Sequence, residues 1–149
     1  MRLLLLGLVL LLGACAARPP AAVSAQRETL VMQALAQVGK PYRYGAVGPE
    51  AFDCSGLVQY VYGQAGIRLP RSTLQQFRSG EAIPADRART GDLLFYRFDG
   101  KQPGPSHVVI YLGEGEAVHA PASGSSVRAA RIDNPAFEQR LVGARRVME

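Results

Sequence analysis

The sequence is poor in the side chains that bridge chains or bind metals, with two cysteines and two histidines in 149 residues. Two cysteines allow one disulfide at most, which excludes a disulfide-dense scaffold. Neither histidine belongs to a close-spaced ligand motif such as His-Glu-x-x-His, so a zinc hydrolase built on one Cys and two His is a weak reading. Seventeen Lys and Arg against 12 Asp and Glu give a charge of +5, yet the basic residues are scattered without a run. Nucleic-acid binding would need them clustered on one face, so no nucleic-acid partner is expected. No apolar run reaches the roughly 20 residues of a membrane-spanning helix, and neither internal repeats nor heptads occur. What remains is ordinary: 48% apolar and 19% charged residues, unlike a disordered chain, and a length that suits one domain.

The N-terminus departs from that average. Met1-Arg2 precedes an apolar stretch, Leu3 to Leu12, and then Gly13-Ala14-Cys15: a positive n-region, a short h-region and a small-residue cleavage site. This reads as an export signal over residues 1–14. Leu11-Leu12-Gly13-Ala14-Cys15 resembles the lipobox of bacterial lipoproteins, which implies lipidation at Cys15; the plainer alternative is a secretory signal cut near Ala17. Ala16, where an inner-membrane retention signal would have Asp, implies the periplasmic face of the outer membrane. Residues 15–23 are small and Pro-rich, as a tether would be, and the folded domain is expected over 24–149. Exported proteins meet oxidising conditions, but a lipidated Cys15 leaves Cys54 without a partner, so Cys54 needs its own explanation.

Apolar residues at 30, 31, 34, 35 and 38 have helical spacing, with Ser24 as cap and Gly39-Lys40-Pro41 as stop. Leu57, Val58, Val61, Tyr62 and Ala65 form a second stripe between Asp53 as N-cap and Gly66, and Ser72 to Gly80 suggests a short third helix. Then the period changes. Residues 92–98, 107–112, 116–120, 127–132 and 141–147 are short, β-branched or aromatic, and separated by Gly and Pro. Helices followed by strands indicate α+β with an antiparallel sheet.

Cys54 falls in the first turn of the second helix, where unpaired N–H groups and the helix dipole favour an anion; this predicts a lowered thiol pKa. A buried structural cysteine is the alternative. His107 and His119 lie in consecutive strands. A three-residue loop, Gly113-Glu114-Gly115, would place Val109 opposite His119 and both histidines on one sheet face, whereas a two-residue loop would separate them. A thiol, a base and a group to orient the base are the parts of nucleophilic catalysis, and the helix-start N–H groups suit a tetrahedral oxyanion.

Six blocks, Pro41-Tyr-Arg-Tyr-Gly45, Phe52-Asp-Cys-Ser-Gly-Leu-Val58, Leu69-Pro-Arg-Ser-Thr-Leu-Gln-Gln76, Gly91-Asp-Leu-Leu-Phe95, Ser106-His-Val-Val-Ile-Tyr-Leu-Gly113 and Val118-His-Ala120, resemble in order the NlpC-type cysteine peptidases of bacterial cell walls. The resemblance implies a papain-like fold, with the Cys-bearing helix packed on the His-bearing sheet. It implies Cys54 as nucleophile, His107 as general base and acid, His119 as the residue orienting it, and Tyr42, Asp53, Ser55 and Ser106 around the site. The implied activity is an endopeptidase without cofactor that cleaves peptidoglycan stem peptides, between D-glutamate and meso-diaminopimelate or at cross-links, through an acyl-enzyme. A non-catalytic cell-wall binding module on the same scaffold is the alternative from another class. Two residues depart from the family pattern: Ala46 and Val109 stand where Gly is usual. Val109, sharing a strand face with His107, is expected to narrow the cleft; residues 97–105 read as a solvated connector leading into His107, with a rim or lid over the site as the alternative.

Overall fold

The computed structural model describes residues 20–101 and 103–148. Helices come first: α1 (Pro20–Leu35), α2 (Cys54–Gln64) and α3 (Thr73–Phe77). The strands are β1 (Glu81–Ile83), β2 (Leu93–Tyr96), β3 (His107–Gly113), β4 (Glu116–His119), β5 (Arg128–Arg131) and β6 (Leu141–Arg146), with a short α4 (Pro135–Glu138) before β6. They form one antiparallel sheet in the order β1-β6-β2-β3-β4-β5, the α+β arrangement expected from the change of period.

Strand alternation divides the core between two sheet faces. Leu93 and Phe95 of β2, with Val108 and Ile110 of β3, pack against Leu30 and Ala34 of α1 and Leu57, Val58, Val61 and Tyr62 of α2. Leu94, Tyr96, Val109, Ala117, Ile132 and Ala144 form the other face, covered by Phe137 of α4. Val109, two residues from His107 on the same face of β3, is fully buried in this cluster, so it packs into the core and does not narrow the cleft.

The signal segment 1–14, Cys15 and tether residues 16–19 lie outside the described residues. Residues 20–23, placed in the tether by composition, are the first turn of α1. Proline is well tolerated there, because a first-turn N–H has no helical acceptor. Ser24 is therefore inside the helix, its hydroxyl directed at Glu28. Asp92, wholly buried just before β2, ties α1 to the sheet and to β6: it accepts from Arg27 and Arg146 and from the Arg89 N–H. Among the described residues no helix is long and apolar enough to cross a membrane.

The β3–β4 hairpin resolves the register question in an unexpected way. Gly113 pairs with Glu116, so the loop is the two residues Glu114-Gly115, both at positive φ (50° and 76°) as a tight hairpin turn of this hand requires. A register shift between Tyr111 and Gly113 then restores the pairing Ile110↔Val118. The bulge at Leu112 cancels the flip that the short loop alone would cause, and His107 and His119 share a face. β1 and α4 have no clear signal in the sequence: β1 is three residues without alternation, held by pairing to β6. α4 rests on Asn134, whose side chain accepts from the N–H groups of Ala136 and Phe137, and on Pro135 at its start.

Candidate active site

Cys54 is the first residue of α2, and the turn that presents it is built by Asp53. One Asp53 carboxylate oxygen accepts from the Gly56 N–H at 2.7 Å; the other accepts from the Gly45 N–H at 2.8 Å and from Arg71. This ties the loop carrying Tyr42, Tyr44 and Gly45 to the start of α2. Residue 56 must be glycine for space: a Cβ there would lie 2.1 Å from the Ala46 carbonyl oxygen. Ala46 thus buttresses the helix from behind, and its carbonyl also accepts from the Asp53 N–H at 3.1 Å. Burial alone would raise the Asp53 carboxyl, but the bonds from Arg71, Gly56 and Gly45 outweigh it and hold the pKa below its ordinary value.

The thiol lies at a cleft of about 410 Å³ lined by Tyr42, Tyr44, Asp53, Ser55, Arg71, Thr73 and Ser106, with Cys54. All four site-lining residues expected from the sequence are therefore gathered around Cys54. Sequence reasoning misses Arg71 and Thr73, although both lie in the Leu69 to Gln76 block. Arg71 donates to Ser55 Oγ at 2.8 Å as well as to Asp53, and Thr73 Oγ1 lies 3.6 Å from Cys54 Sγ. The readable signal is the cap of α3, in which Ser72 and Gln75 form a capping box; it fixes Thr73 as the first helical residue. Gln76, fully buried, locks α3 to α2 by donating to the Ser55 and Pro70 carbonyls, both at 2.9 Å.

His107 begins β3 directly after Ser106. Its Nε2 is 2.8 Å from His119 Nδ1, with the rings 5.1 Å apart at 71°. Phe98 stands edge-to-face on His107 at 5.7 Å and Phe137 on His119 at 5.9 Å. The segment 97–105 is therefore more than a solvated connector, since Phe98 within it packs on the His107 ring. Burial in this aromatic setting lowers His107 to about 3 and His119 to about 4; the neighbouring His119 adds to the first shift and Arg128 to the second. The Cys54 thiol is pushed up, not down. Burial is the largest cause and the Asp53 charge adds to it, against the lowering effects of Thr73 and of the Val108 and Ser55 N–H groups. The helix start is present as expected, but desolvation exceeds it. The thiol faces the backbone of Val108, next to His107, and makes no hydrogen bond to the imidazole itself among the described residues.

The NlpC/P60 family model matches residues 39–146. The chain belongs to the NlpC/P60 family. It is 38% identical over 116 residues to the murein DD-endopeptidase MepH of Escherichia coli, covering 75% of this chain and 42% of MepH. To the gamma-DL-glutamyl hydrolase of Bacillus subtilis it is 35% identical over 122 residues, 80% of this chain and 30% of that protein. The chain therefore spans less than half the length of either relative. The solved structure of the peptidoglycan hydrolase RipB from Mycobacterium tuberculosis superposes with a TM-score of 0.74 at 28% identity, covering 89% of this chain and 69% of RipB. The architecture is the papain-like α+β fold of NlpC/P60 domains. Among the described residues, no three His, Cys, Asp or Glu side chains gather as a metal-ligand set.

Proposed function

We propose that this NlpC/P60 domain is a cell-wall endopeptidase that hydrolyses peptide bonds of peptidoglycan stem peptides with Cys54 as nucleophile. The observation that carries the reading is a thiol at the start of α2, in a cleft lined by hydroxyl, carboxylate and guanidinium groups, beside β3, whose first residue His107 is hydrogen-bonded to His119 of β4. Membership of the NlpC/P60 family supports it, as do the activities named for MepH and RipB.

The chemistry follows from the order of contacts. His107 is engaged by His119 through Nε2, so Nδ1 is the nitrogen left to take the thiol proton. As Cys54 Sγ attacks the scissile carbonyl carbon, that proton passes to Nδ1 and the carbonyl oxygen becomes an oxyanion. Asp53 takes the Gly56 N–H through its side chain and the Leu57 N–H through its carbonyl. The Cys54 N–H remains unengaged at the helix start to receive the oxyanion, and the Ser55 N–H, bonded to the thiol at rest, is the next donor in line. Collapse breaks the C–N bond, the amine leaves with the proton from His107, and a thioester remains on Cys54. Water, deprotonated by His107, then hydrolyses the thioester and frees the thiol.

The neutral resting pair set by burial means that the proton moves during attack rather than before it. Arg71, held by Asp53 and Ser55 at the cleft wall with 37% of its side chain exposed, supplies a cation suited to a substrate carboxylate. The bond cleaved is a D-glutamyl–meso-diaminopimelate bond or a cross-link, and the masses of released muropeptides distinguish these. We assign the chain to the periplasmic face of the outer membrane, exported by residues 1–14 and anchored through a lipid on Cys15. Incorporation of labelled palmitate, lost in Cys15→Ser, tests the anchor. Release of soluble muropeptides from purified sacculi, abolished in His107→Ala, tests the hydrolase; binding to sacculi with no product from the wild type would instead favour the non-catalytic module.

A further inference from the structure

A second groove of about 520 Å³, larger than the catalytic cleft, lies on the far side of α3. Its walls include Leu74, Phe77 and Arg78 of the α3 segment, Arg145 of β6, and Pro103-Gly104. The two concavities share a partition. Thr73, which touches the thiol, lines the cleft, and the next residue, Leu74, lines the groove; across from them Ser106 lines the cleft and Gly104 the groove. At this partition residue 104 is glycine at a φ of 104° and packs close to Leu74: a Cβ there would come within 3.0 Å of Leu74 Cδ1.

The groove is cationic over an apolar floor, and its lining contains no carboxylate. Arg145 is preorganised: Nε donates to the Phe77 carbonyl at 2.6 Å, Nη1 donates to the Ala144 carbonyl at 2.8 Å, and the guanidinium stacks 3.9 Å from the Phe77 ring centroid. Its Nη2 makes no hydrogen bond to a described residue. Arg78 is exposed beside it. Neither groove arginine has a carboxylate partner among the described residues.

We infer that this groove is an acidic-peptide subsite that seats the second stem of a cross-linked muropeptide, its carboxylates on Arg78 and Arg145 and its alkyl portions on Leu74, Phe77 and Pro103. The inference rests on the peptidoglycan reading above. An extended peptide advances about 3.3–3.6 Å per residue, so a few residues beyond the scissile bond carry a substrate across the Leu74–Gly104 partition. A stem with glutamate and diaminopimelate carboxylates is the anionic, partly aliphatic chain that such a lining complements.

The test measures binding by calorimetry with the full chain carrying Cys54→Ala, using a purified cross-linked muropeptide dimer and its monomer. Removing one arginine–carboxylate interaction should weaken affinity about tenfold, the equivalent of 1.4 kcal/mol. Arg78→Glu or Arg145→Gln should therefore weaken dimer binding by at least that factor and leave monomer binding unchanged. Arg78 is exposed and without a described carboxylate partner, so Arg78→Glu reports even if Arg145→Gln fails to fold. Equal dimer and monomer affinities in the Cys54→Ala chain, or equal losses on both ligands, would overturn the subsite. So would a preference for a poly(glycerol phosphate) chain over the dimer, because the groove would then be a phosphate site. A wild-type chain that hydrolyses neither ligand, while Cys54→Ala retains an Arg78-dependent preference for the dimer, would sink the hydrolase reading and leave the subsite standing.

Discussion

His107 Nε2 and His119 Nδ1 stand 2.8 Å apart, and one proton must lie between them. If His107 holds that proton, its Nδ1 is bare and can accept from a thiol, while His119 carries its own proton on Nε2. That atom is buried and has no hydrogen-bond partner. The catalytic tautomer therefore places a donor among aromatic rings, where Phe137 is an edge-to-face neighbour of His119. An acceptor at position 119 is what the reaction requires, and an imidazole is one way to supply it.

His119→Leu removes the acceptor and should lower kcat by about 10²–10⁴, the range for a positioned acid–base group, with KM within a factor of about two. His119→Asn can still accept from Nε2–H and should retain activity within about tenfold of wild type. Equal losses in the two variants would contradict an orienting role.

Because burial raises the Cys54 thiol, alkylation by iodoacetamide should climb with pH and reach its midpoint above the ordinary thiol value of about 8.5. The Thr73 hydroxyl lowers that pKa, so Thr73→Val should slow alkylation at pH 8. A rate that is already flat below pH 7 would indicate a preformed thiolate–imidazolium pair instead.

The buried histidines also set an acid limit on stability. Their folded-state pKa values of about 3 and about 4 lie below the ordinary 6.5, so between those values the unfolded chain binds more protons than the folded one. Stability from this source is complete above pH 6.5 and is lost as pH falls toward 3–4. Asp53, held below the ordinary carboxyl range, loses its share only below about pH 4. The melting temperature should therefore fall between pH 6.5 and 4 in the wild type and change less in His107→Gln/His119→Gln. Parallel profiles for the two proteins would contradict this assignment.

Asp92→Ala leaves Arg27 and Arg146 at a buried site without their carboxylate. Breaking such a pair costs about 3–5 kcal/mol, which urea denaturation should register. A loss below about 1 kcal/mol would mean that Asp92 contributes no more than a surface ion pair does.

What is legible in the sequence divides along physical lines. α2 can be read because its cap, apolar stripe and terminating glycine are all local, and the hairpin can be read because Gly and β-branched residues mark its ends. The shared face of the two histidines follows from a loop of the wrong length, because a bulge at Leu112 leaves no trace in a pattern of period two. The direction of the thiol shift escapes for a similar reason. A helix start is visible in sequence, whereas the packing that desolvates Cys54 is a tertiary fact. Arg71 lies 18 residues from Asp53 and Thr73 lies 19 from Cys54; nothing local announces either contact. Val109 does share the strand face of His107, yet that face is packed core at its position, and the residue of this region that lines the cleft is Ser106, just before the strand.

The central claim is that Cys54 cuts peptide bonds in peptidoglycan, and mass spectrometry of muropeptides tests it most directly. Sacculi incubated with the wild-type chain should yield products separated by hydrolysis of one stem-peptide bond, and sacculi incubated with Cys54→Ala should yield none. The same products at undiminished levels from Cys54→Ala would contradict the account.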